Sequence, residues 1–276
     1  TDEDIKLYLD KNKKKYKREA GIMISYVSFS AAANSADSSK ILQSLKDLKP
    51  QFAVDSNAKF FLGRNSSAMP YFDGYTPKSK IQTPYKDSIV SLSVGETFGP
   101  YEDGKDYVLA KMISTKIMPD SIQCRHILLG TINPQTQQPL LSDTAAHRIA
   151  DSIALAIKGG ANFDSLDEKY STDEVAKKDN GVMTFDLMTI EGDGFAKEFG
   201  DFLLNDKGET KKVIKTQFGW HYIEIMDKKD FQPSYKIAYM AKEIVPSDET
   251  INAANTAAIK LSGSAKDEKS FESYVT

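Results

Sequence analysis

Histidine is the residue in this sequence best suited to hydrogen-bond or proton chemistry, and the chain has three. His126 lies within the apolar stretch 122–129 and His221 within the stretch 220–225, both of which read as strands, whereas His147 lies on a predicted helix. If these two strands pair, His126 and His221 can meet at about 5 Å. Taken alone, two strand histidines are more often satisfied core or rim groups than a site.

The same residue types could also support other chemistries, namely a nucleophilic thiol, a metal site or a phosphate-binding loop. Cys124 alternates onto the strand face of His126, but a thiol–imidazole nucleophile needs an orienting group and an oxyanion donor that the sequence does not indicate. Cys124 is therefore interpreted as a buried structural cysteine. The histidines lack the close or clustered spacing of metal ligands, and no phosphate-binding glycine loop occurs, so neither a metal nor another cofactor is predicted.

Composition narrows the class of protein. The 276 residues are 40% hydrophobic with a net charge of −3, which predicts one to three globular domains and no electrostatic footprint for nucleic acid. A single cysteine excludes an intramolecular disulfide. No apolar run reaches the ~18–20 residues of a membrane span. Any export signal or membrane anchor is expected upstream of Thr1, so membrane contact is expected only through a segment outside this sequence.

One structural unit is predicted to occur three times along the chain. Each copy opens with an apolar strand and continues into an amphipathic helix. The strands are predicted over 22–29, 122–129 and 235–240, and the helices over 37–48, 143–158 and 248–261. The first two copies also close alike, at residues 95–112 and 208–226. The third copy stops after its helix and is expected not to form a full sheet.

These repeats predict an α+β fold. Two units, each a four-stranded antiparallel sheet with packed helices, are expected in tandem, with an N-terminal helix before them and a partial third unit at the C-terminus. The middle unit reads in the order β-α-α-β-α-β-β. Connectors are predicted near Gly21, Pro119 and residues 231–233. The predicted domains are the helix 1–20, a degenerate unit 21–118, a unit with the site residues 119–229, and a partial unit 230–276.

Four motifs of the middle unit resemble the parvulin family of peptidyl-prolyl isomerases, in the family's order. They are RHIL at 125–128, YSTD at 170–173, FAKEF at 195–199 and TQFGWH at 216–221. The resemblance covers about 110 residues. With a degenerate copy before the complete one, the chain is similar to the periplasmic SurA and PpiD folding factors of Gram-negative envelopes.

The resemblance implies roles for particular side chains and no cofactor. His126 and His221 would be the paired histidines beneath the active site, with Asp173 and Thr216 joined to them. The proline pocket would be formed by Val182, Phe195, Phe199 and, at its rim, Phe218. Twisting an X-Pro amide breaks no bond, so an apolar cup and polar groups matched to the twisted amide suffice.

The sequence also departs from the family. Residues 179–185 read DNGVMTF where the family usually carries a Gly-Gly-(Asp/Glu)-Leu-Gly-Trp-Phe stretch, and Phe195 replaces the usual Met or Leu. In the first copy Tyr26 and Tyr107 are predicted to take the places of His126 and His221, and Tyr239 makes the same replacement in the third. These copies are therefore read as non-catalytic, either spacers or client-binding surfaces.

The expected function is a peptidyl-prolyl cis/trans isomerase and folding factor. Its expected partners are unfolded or extended envelope polypeptides with X-Pro bonds, in the periplasm. The alternative, from a different class, is a non-catalytic holdase or scaffold that binds extended clients through its parvulin-like units.

Overall fold

The computed structural model describes residues 1–17, 21–22, 24–133, 136, 138–205 and 207–275. The helices over these residues are α1 (Asp2–Lys11), α2 (Lys13–Tyr16), α3 (Ser35–Val54), α4 (Ala58–Arg64), α5 (Lys86–Val90), α6 (Asp143–Lys158), α7 (Phe163–Tyr170), α8 (Leu187–Glu191), α9 (Lys197–Leu203), α10 (Asp248–Ser264) and α11 (Glu268–Val275). The strands are β1 (Thr76–Pro77), β2 (Thr97–Asp103), β3 (Asp106–Gly130), β4 (Val182–Asp186), β5 (Lys211–Thr216) and β6 (Gly219–Glu243). This mixture confirms the predicted α+β class.

The chain divides into two compact units. The terminal unit combines Thr1–Asp37 with Val245–Thr276 and is helical. Its two chain segments are joined at the buried Asp37, whose carboxylate accepts hydrogen bonds from the backbone of Asn34, the backbone of Ser247 and the hydroxyl of Thr250. The sheet unit, Ser38–Ile244, contains every strand that the structure describes.

The sheet unit is organised by β3 and β6, which pair antiparallel from Asp106↔Glu243 to Gly130↔Gly219. At one end β4 pairs with β3 and β5 with β6; this is the histidine half. At the other end β1 pairs with β6 and β2 with β3; this is the companion half. Each half therefore contains four neighbouring antiparallel strand segments, and the two halves share one continuous sheet.

Helices cover the histidine half on both faces because its central strands are apolar on both faces. Ile127 and Leu129 pack with α6 and α7, whereas Ile122, Cys124 and Ile223 pack with α8 and α9. The predicted helix 143–158 is confirmed as α6. Its first turn is capped by Ser142, whose hydroxyl accepts from the backbone N–H of Ala145. The second helix in the predicted β-α-α-β-α-β-β order is likewise confirmed, as α7.

The expectation of two separate sheets in tandem is wrong. The predicted connectors at Pro119 and residues 231–233 lie inside β3 and β6, where Pro119 is paired with Phe231 and Ile117 with Pro233. The strands run through these positions, so the two halves form a single six-stranded sheet in the part of the chain that the structure describes. Whether 1–20, 21–118, 119–229 and 230–276 act as separate domains stays a prediction.

The predicted opening strand at 22–29 is also wrong for its described residues, which form no strand. Tyr26 is 85% exposed, and Ile22 and Ile24 are exposed as well. The place beside residues 107–112 is taken by residues 237–242 of β6. The third strand, 235–240, is therefore a central strand of the companion half and not part of an incomplete third sheet. The helix predicted after it is confirmed as α10.

The predicted N-terminal helix begins as expected but is divided at Asn12 into α1 and α2. The end of that prediction, residues 18–20, lies outside the described residues. None of the described helices combines the length and apolar character needed to cross a bilayer.

Candidate functional site

The register of β3 and β6 places two imidazoles side by side in the histidine half. Leu128 lies opposite His221 and Ile223 opposite His126, so the two histidines are diagonal neighbours on one face of the sheet. Both are buried, their rings are stacked with centroids 5.4 Å apart, and their Nδ1 atoms lie 3.1 Å from each other. The structure thus brings together the pair that the sequence singled out.

A hydrogen-bond chain continues from this pair on the His221 side. Nε2 of His221 lies 2.8 Å from the hydroxyl oxygen of Thr216. That oxygen also accepts a hydrogen bond from the backbone N–H of Phe218 at 3.1 Å, in the turn between β5 and β6. The Thr216 hydroxyl therefore has its hydrogen available for donation to Nε2 of His221.

Asp173 lies at the other end of this hydrogen-bonded series, on the His126 side, in the loop after α7. Its Oδ2 is 3.3 Å from Nε2 of His126, which is within ion-pair distance, and among the described residues that nitrogen has no hydrogen bond of good geometry. Its Oδ1 accepts from the backbone N–H groups of Val175 and Ala176, each at 3.0 Å. Hydrogen bonding to His126, together with these two amides, lowers the pKa of Asp173 to about 2 against the opposing effect of burial. The carboxylate is therefore ionised at neutral pH.

One direction of donation satisfies the whole chain. Thr216 donates to Nε2 of His221, Nδ1–H of His221 donates to Nδ1 of His126, and Nε2–H of His126 points at the Asp173 carboxylate. The reverse direction would set a lone pair of His126 against that anion and leave the Thr216 hydrogen without an acceptor. Burial, and after it the neighbouring His126, lower the pKa of His221 to about 3, so this imidazole is neutral in the folded protein.

An apolar cavity of about 450 Å³ opens above the two imidazoles. Phe199 stands edge-on to both rings, with centroid distances of 5.5 Å to His126 and 5.4 Å to His221. Phe195 packs edge-on against Phe199 at 5.7 Å. Phe218 is 44% exposed and lies at the rim. Three of the four predicted pocket residues therefore line one cavity together with His126, His221 and Asp173.

The fourth, Val182, does not line the cavity, which corrects the sequence prediction. Its neighbours Met183 and Phe185 line it instead. Successive residues of β4 point to opposite faces of the sheet, so a pocket residue predicted one position too early lies on the wrong face. Val182 pairs with Arg125, whereas Met183 pairs with Cys124 on the cavity side. The spacing of Met183 and Phe185, two residues apart, was the available signal.

Other cavity residues carried no motif in the sequence. Leu128, Ile132 and Leu140 line the cavity from the end of β3 and the segment that follows it. Leu128 could have been inferred from His126, because residues two apart on a strand share a face. The positions of Ile132 and Leu140 depend on a bridge between Ile132 and Pro139 that folds this segment back.

The companion half repeats this arrangement without imidazoles. On the equivalent face, Tyr239 occupies the position of His126 in β6, and Val108, opposite Ala241, occupies that of His221 in β3. Tyr107, predicted for the second position, lies on the opposite face, against α3 and α4. The error is one residue, because the match of residues 95–112 to residues 208–226 contains a one-residue gap. Tyr239 borders a second cavity, of about 290 Å³, together with Tyr101 and Phe72.

Cys124 is fully buried beneath the site, and burial raises the pKa of its thiol to about 12. The thiolate required for nucleophilic attack is therefore negligible at neutral pH. The structure supports the interpretation of Cys124 as a core residue.

Comparisons with known proteins agree with this geometry. The family described as PPIC-type PPIASE domain matches residues 107–229. Chaperone SurA of Pseudomonas aeruginosa is 25% identical over 169 residues, which are 59% of this chain and 38% of that protein. Chaperone SurA of Pseudomonas putida is 24% identical over 208 residues, 72% of this chain and 46% of that protein. The chain thus spans less than half the length of these curated relatives.

Among solved structures, NmPin, the parvulin of Nitrosopumilus maritimus, is 26% identical. The match covers 39% of this chain and 97% of NmPin, with a TM-score of 0.26. The RHIL and TQFGWH motifs, which carry His126 and His221, both lie inside the matched domain 107–229. Over residues 107–229 the chain is therefore similar to the parvulin-type (PPIC-type) peptidyl-prolyl isomerase domain, and over a longer stretch it is similar to the SurA chaperones.

Proposed function

We propose that the histidine half catalyses cis/trans isomerisation of X-Pro bonds in unfolded or extended polypeptides. The observation that carries this proposal is the hydrogen-bonded series Thr216–His221–His126–Asp173, with Asp173 ionised and His221 neutral, lying directly under an apolar cavity. The reaction needs no cofactor, because a rotation about one bond requires only a site that stabilises the twisted amide.

The cavity supplies the apolar part of that site. The barrier of ~18–20 kcal/mol arises because the amide loses conjugation as it twists. Phe199, Phe195 and Met183 offer an apolar seat for the pyrrolidine ring, which would hold one side of the bond while the other side turns. Their packing also excludes water, which would otherwise stabilise the polar planar amide.

The polar chain supplies the electrostatic part. A planar amide carries partial negative charge on oxygen and partial positive charge on nitrogen, and this separation decreases on twisting. The ionised Asp173, placed beside the carbonyl oxygen, would therefore destabilise the planar ground state more than the twisted transition state. His126 would hold Asp173, His221 and Thr216 would fix the ring of His126, and Phe218 would close the rim over the bound proline.

The test is an NMR exchange assay on the full chain with an X-Pro tetrapeptide. We expect the wild-type protein to accelerate exchange and His126→Ala to lower kcat/KM at least about tenfold, since loss of one positioned group misplaces Asp173. Tyr239→Phe, the matched change in the companion half, should leave kcat/KM unchanged. Absence of any acceleration by a folded wild-type protein would exclude the isomerase.

The second candidate is a holdase that binds clients without turnover. It is favoured by one observation: the companion half keeps a cavity on the equivalent face but has Tyr239 and Val108 where the imidazoles would be. Both candidates predict binding of extended polypeptides. Binding of a denatured client without accelerated exchange would identify the holdase.

We also propose an extracytoplasmic location with envelope proteins as clients, in line with the similarity to the SurA chaperones. Membrane contact would be made only by a segment outside residues 1–276. Fractionation of cells that express the complete gene product tests the location. Recovery in the cytoplasmic fraction would contradict this part of the proposal.

A further inference from the structure

The histidine cavity, which is the cavity of about 450 Å³ above His126 and His221, has an acidic lining. Asp173 and Glu174 stand next to each other in its wall, and no lysine or arginine is among the described residues that line it. Of the two imidazoles, that of His221 is neutral. A charged side chain that a bound peptide places at this wall therefore meets negative charge.

The loop that carries Glu174 is held on both sides. Before it, the hydroxyl of Thr172 donates to the carbonyl of Leu128 at 3.1 Å and accepts from the backbone N–H of Gly130 at 2.9 Å. After it, the Asp173 carboxylate accepts the backbone N–H groups two and three residues further on, each at 3.0 Å. The backbone around Glu174 is therefore fixed relative to β3 before any peptide binds.

Glu174 and Val175 together offer a surface that is partly apolar and partly charged. Both line the cavity, and they are exposed, the Glu174 side chain to 80% and Val175 to 72%. Lysine and arginine have the matching character, an apolar stem that ends in a charge. Such a side chain can lay its stem against Val175 and bring its charge to the Glu174 carboxylate.

Lys177 is the cation of this loop that already contacts Glu174. Its Nζ lies 3.5 Å from Oε1 of Glu174, one turn away along the chain. A long contact at a carboxylate that is mostly in water contributes little, because solvent screens it. The Glu174 carboxylate therefore remains accessible to a cation from a bound peptide.

The proposed chemistry indicates which residue of the peptide meets this surface. Asp173 is placed beside the carbonyl oxygen of the X-Pro amide, and that oxygen belongs to residue X. Because Glu174 follows Asp173 directly, we expect the side chain of residue X to lie toward Glu174 and Val175.

We propose that Glu174 is a specificity-determining residue, which makes the histidine half prefer X-Pro bonds in which X is lysine or arginine over those in which X is acidic. The inference rests on the proposed isomerase function and names its substrate class. Attraction of a basic residue X and repulsion of an acidic one act at the same carboxylates, so both effects enlarge the difference between the two substrates.

The test uses the full chain and end-blocked tetrapeptides that differ only in residue X, which is lysine, glutamate or, as the uncharged reference, leucine. We expect kcat/KM from NMR exchange to be about tenfold or more higher for lysine than for glutamate. Raising the ionic strength from about 0.01 M to about 1 M shortens the Debye length from about 30 Å to about 3 Å and should reduce this ratio.

Glu174→Lys reverses the charge at the wall and should lower the lysine-to-glutamate ratio about fivefold or more, whereas Glu174→Gln should lower it less. Glu168→Lys is the matched control. It makes the same charge change at an exposed position of α7, which packs on the face of the sheet opposite the cavity, so the ratio should stay at the wild-type value.

Equal kcat/KM for the lysine and glutamate peptides would overturn the proposal, and so would a wild-type ratio in Glu174→Lys. If the wild-type protein turns over none of the three peptides, the isomerase proposal fails. Binding of the same peptides, followed through the NMR signals of the His126 and His221 rings, then decides the preference by itself. Tighter binding of the lysine peptide would support it, and equal or absent binding would refute it.

Discussion

At the scale of single residues, the site is defined by which groups carry charge. His221 is buried between Phe199, His126 and the Thr216 hydroxyl, so a proton on it would have neither solvent nor an adjacent anion to stabilise it. Asp173 keeps 24% of its side chain exposed, with two backbone amides and His126 as partners, and therefore stays ionised. An ionised Asp173 near a neutral, buried His221 is the arrangement that the proposed chemistry requires.

The depressed pKa of His221 predicts how stability depends on pH. The unfolded chain binds a proton at His221 below about pH 6.5, whereas the folded protein does not until about pH 3. Stability from this group is therefore complete above pH 6.5 and is lost on acidification, by up to about 1.4 kcal/mol per pH unit. Stability from Asp173 is present above about pH 4 and is lost only as the pH falls from about 4 to about 2, because its pKa is also lowered, to about 2.

Urea unfolding between pH 7.5 and 4.5 tests this prediction. His221→Gln should flatten the dependence of the unfolding free energy on pH, while His147→Gln, at an exposed histidine, should keep the wild-type slope. Parallel slopes for the wild-type and His221→Gln proteins would contradict the buried neutral imidazole.

At the scale of elements, the turn that leads into β4 holds β3 at His126. Gly181 has φ +72°, and its carbonyl accepts the backbone N–H of His126 at 3.0 Å. A Cβ at this position would lie 2.5 Å from the His126 carbonyl oxygen. Although residues 179–185 depart from the family's glycine stretch, they retain a glycine at the place where this turn lies against the backbone of β3.

We expect Gly181→Ala to destabilise the protein by about 1–3 kcal/mol more than Gly160→Ala. Gly160 also has a positive φ, +96°, but a Cβ there would meet nothing within 4 Å, so it controls for backbone strain alone. Thermal unfolding gives the difference, and the His126 ring signals should move only in Gly181→Ala. Equal losses of stability would show that crowding against β3 is unimportant.

At the scale of the whole molecule, the two long strands make the histidine and companion halves parts of one sheet. Residues 237–242 of β6 lie beside residues 107–112 of β3 in the companion half, and residues 219–225 of β6 lie beside β3 in the histidine half. The last strand of one half therefore continues as a central strand of the other. A change of pairing in the companion half would be transmitted along β3 and β6 toward His126 and His221.

This pairing predicts where a disulfide can form. Val108 and Ala241 are paired and pack in the same core cluster, whereas Met240 points to the opposite face. Val108→Cys with Ala241→Cys should oxidise to a disulfide under mild conditions, and Val108→Cys with Met240→Cys should not. Mass spectrometry of the oxidised proteins gives the outcome, and the buried thiol of Cys124 does not compete, since its pKa is raised to about 12. The reverse result would refute the register.

The sequence by itself determined the features that depend on local pattern. Apolar stretches located the strands of His126 and His221, and an amphipathic pattern located α6, because such signals are complete within one element. Of the eight site residues predicted from the motifs, seven lie in or beside one cavity. Their catalytic roles stay a prediction until turnover is measured.

Tertiary structure decided between alternatives that the local sequence pattern does not distinguish. The segments 22–29 and 235–240 carry the same apolar pattern, but only the second pairs with residues 107–112. It continues β6, which is already paired with β3, so no additional loop has to be closed and no further loop entropy is lost. The choice of Met183 over Val182 depends on the register of β4, and that of Val108 over Tyr107 on the register of β3 with β6.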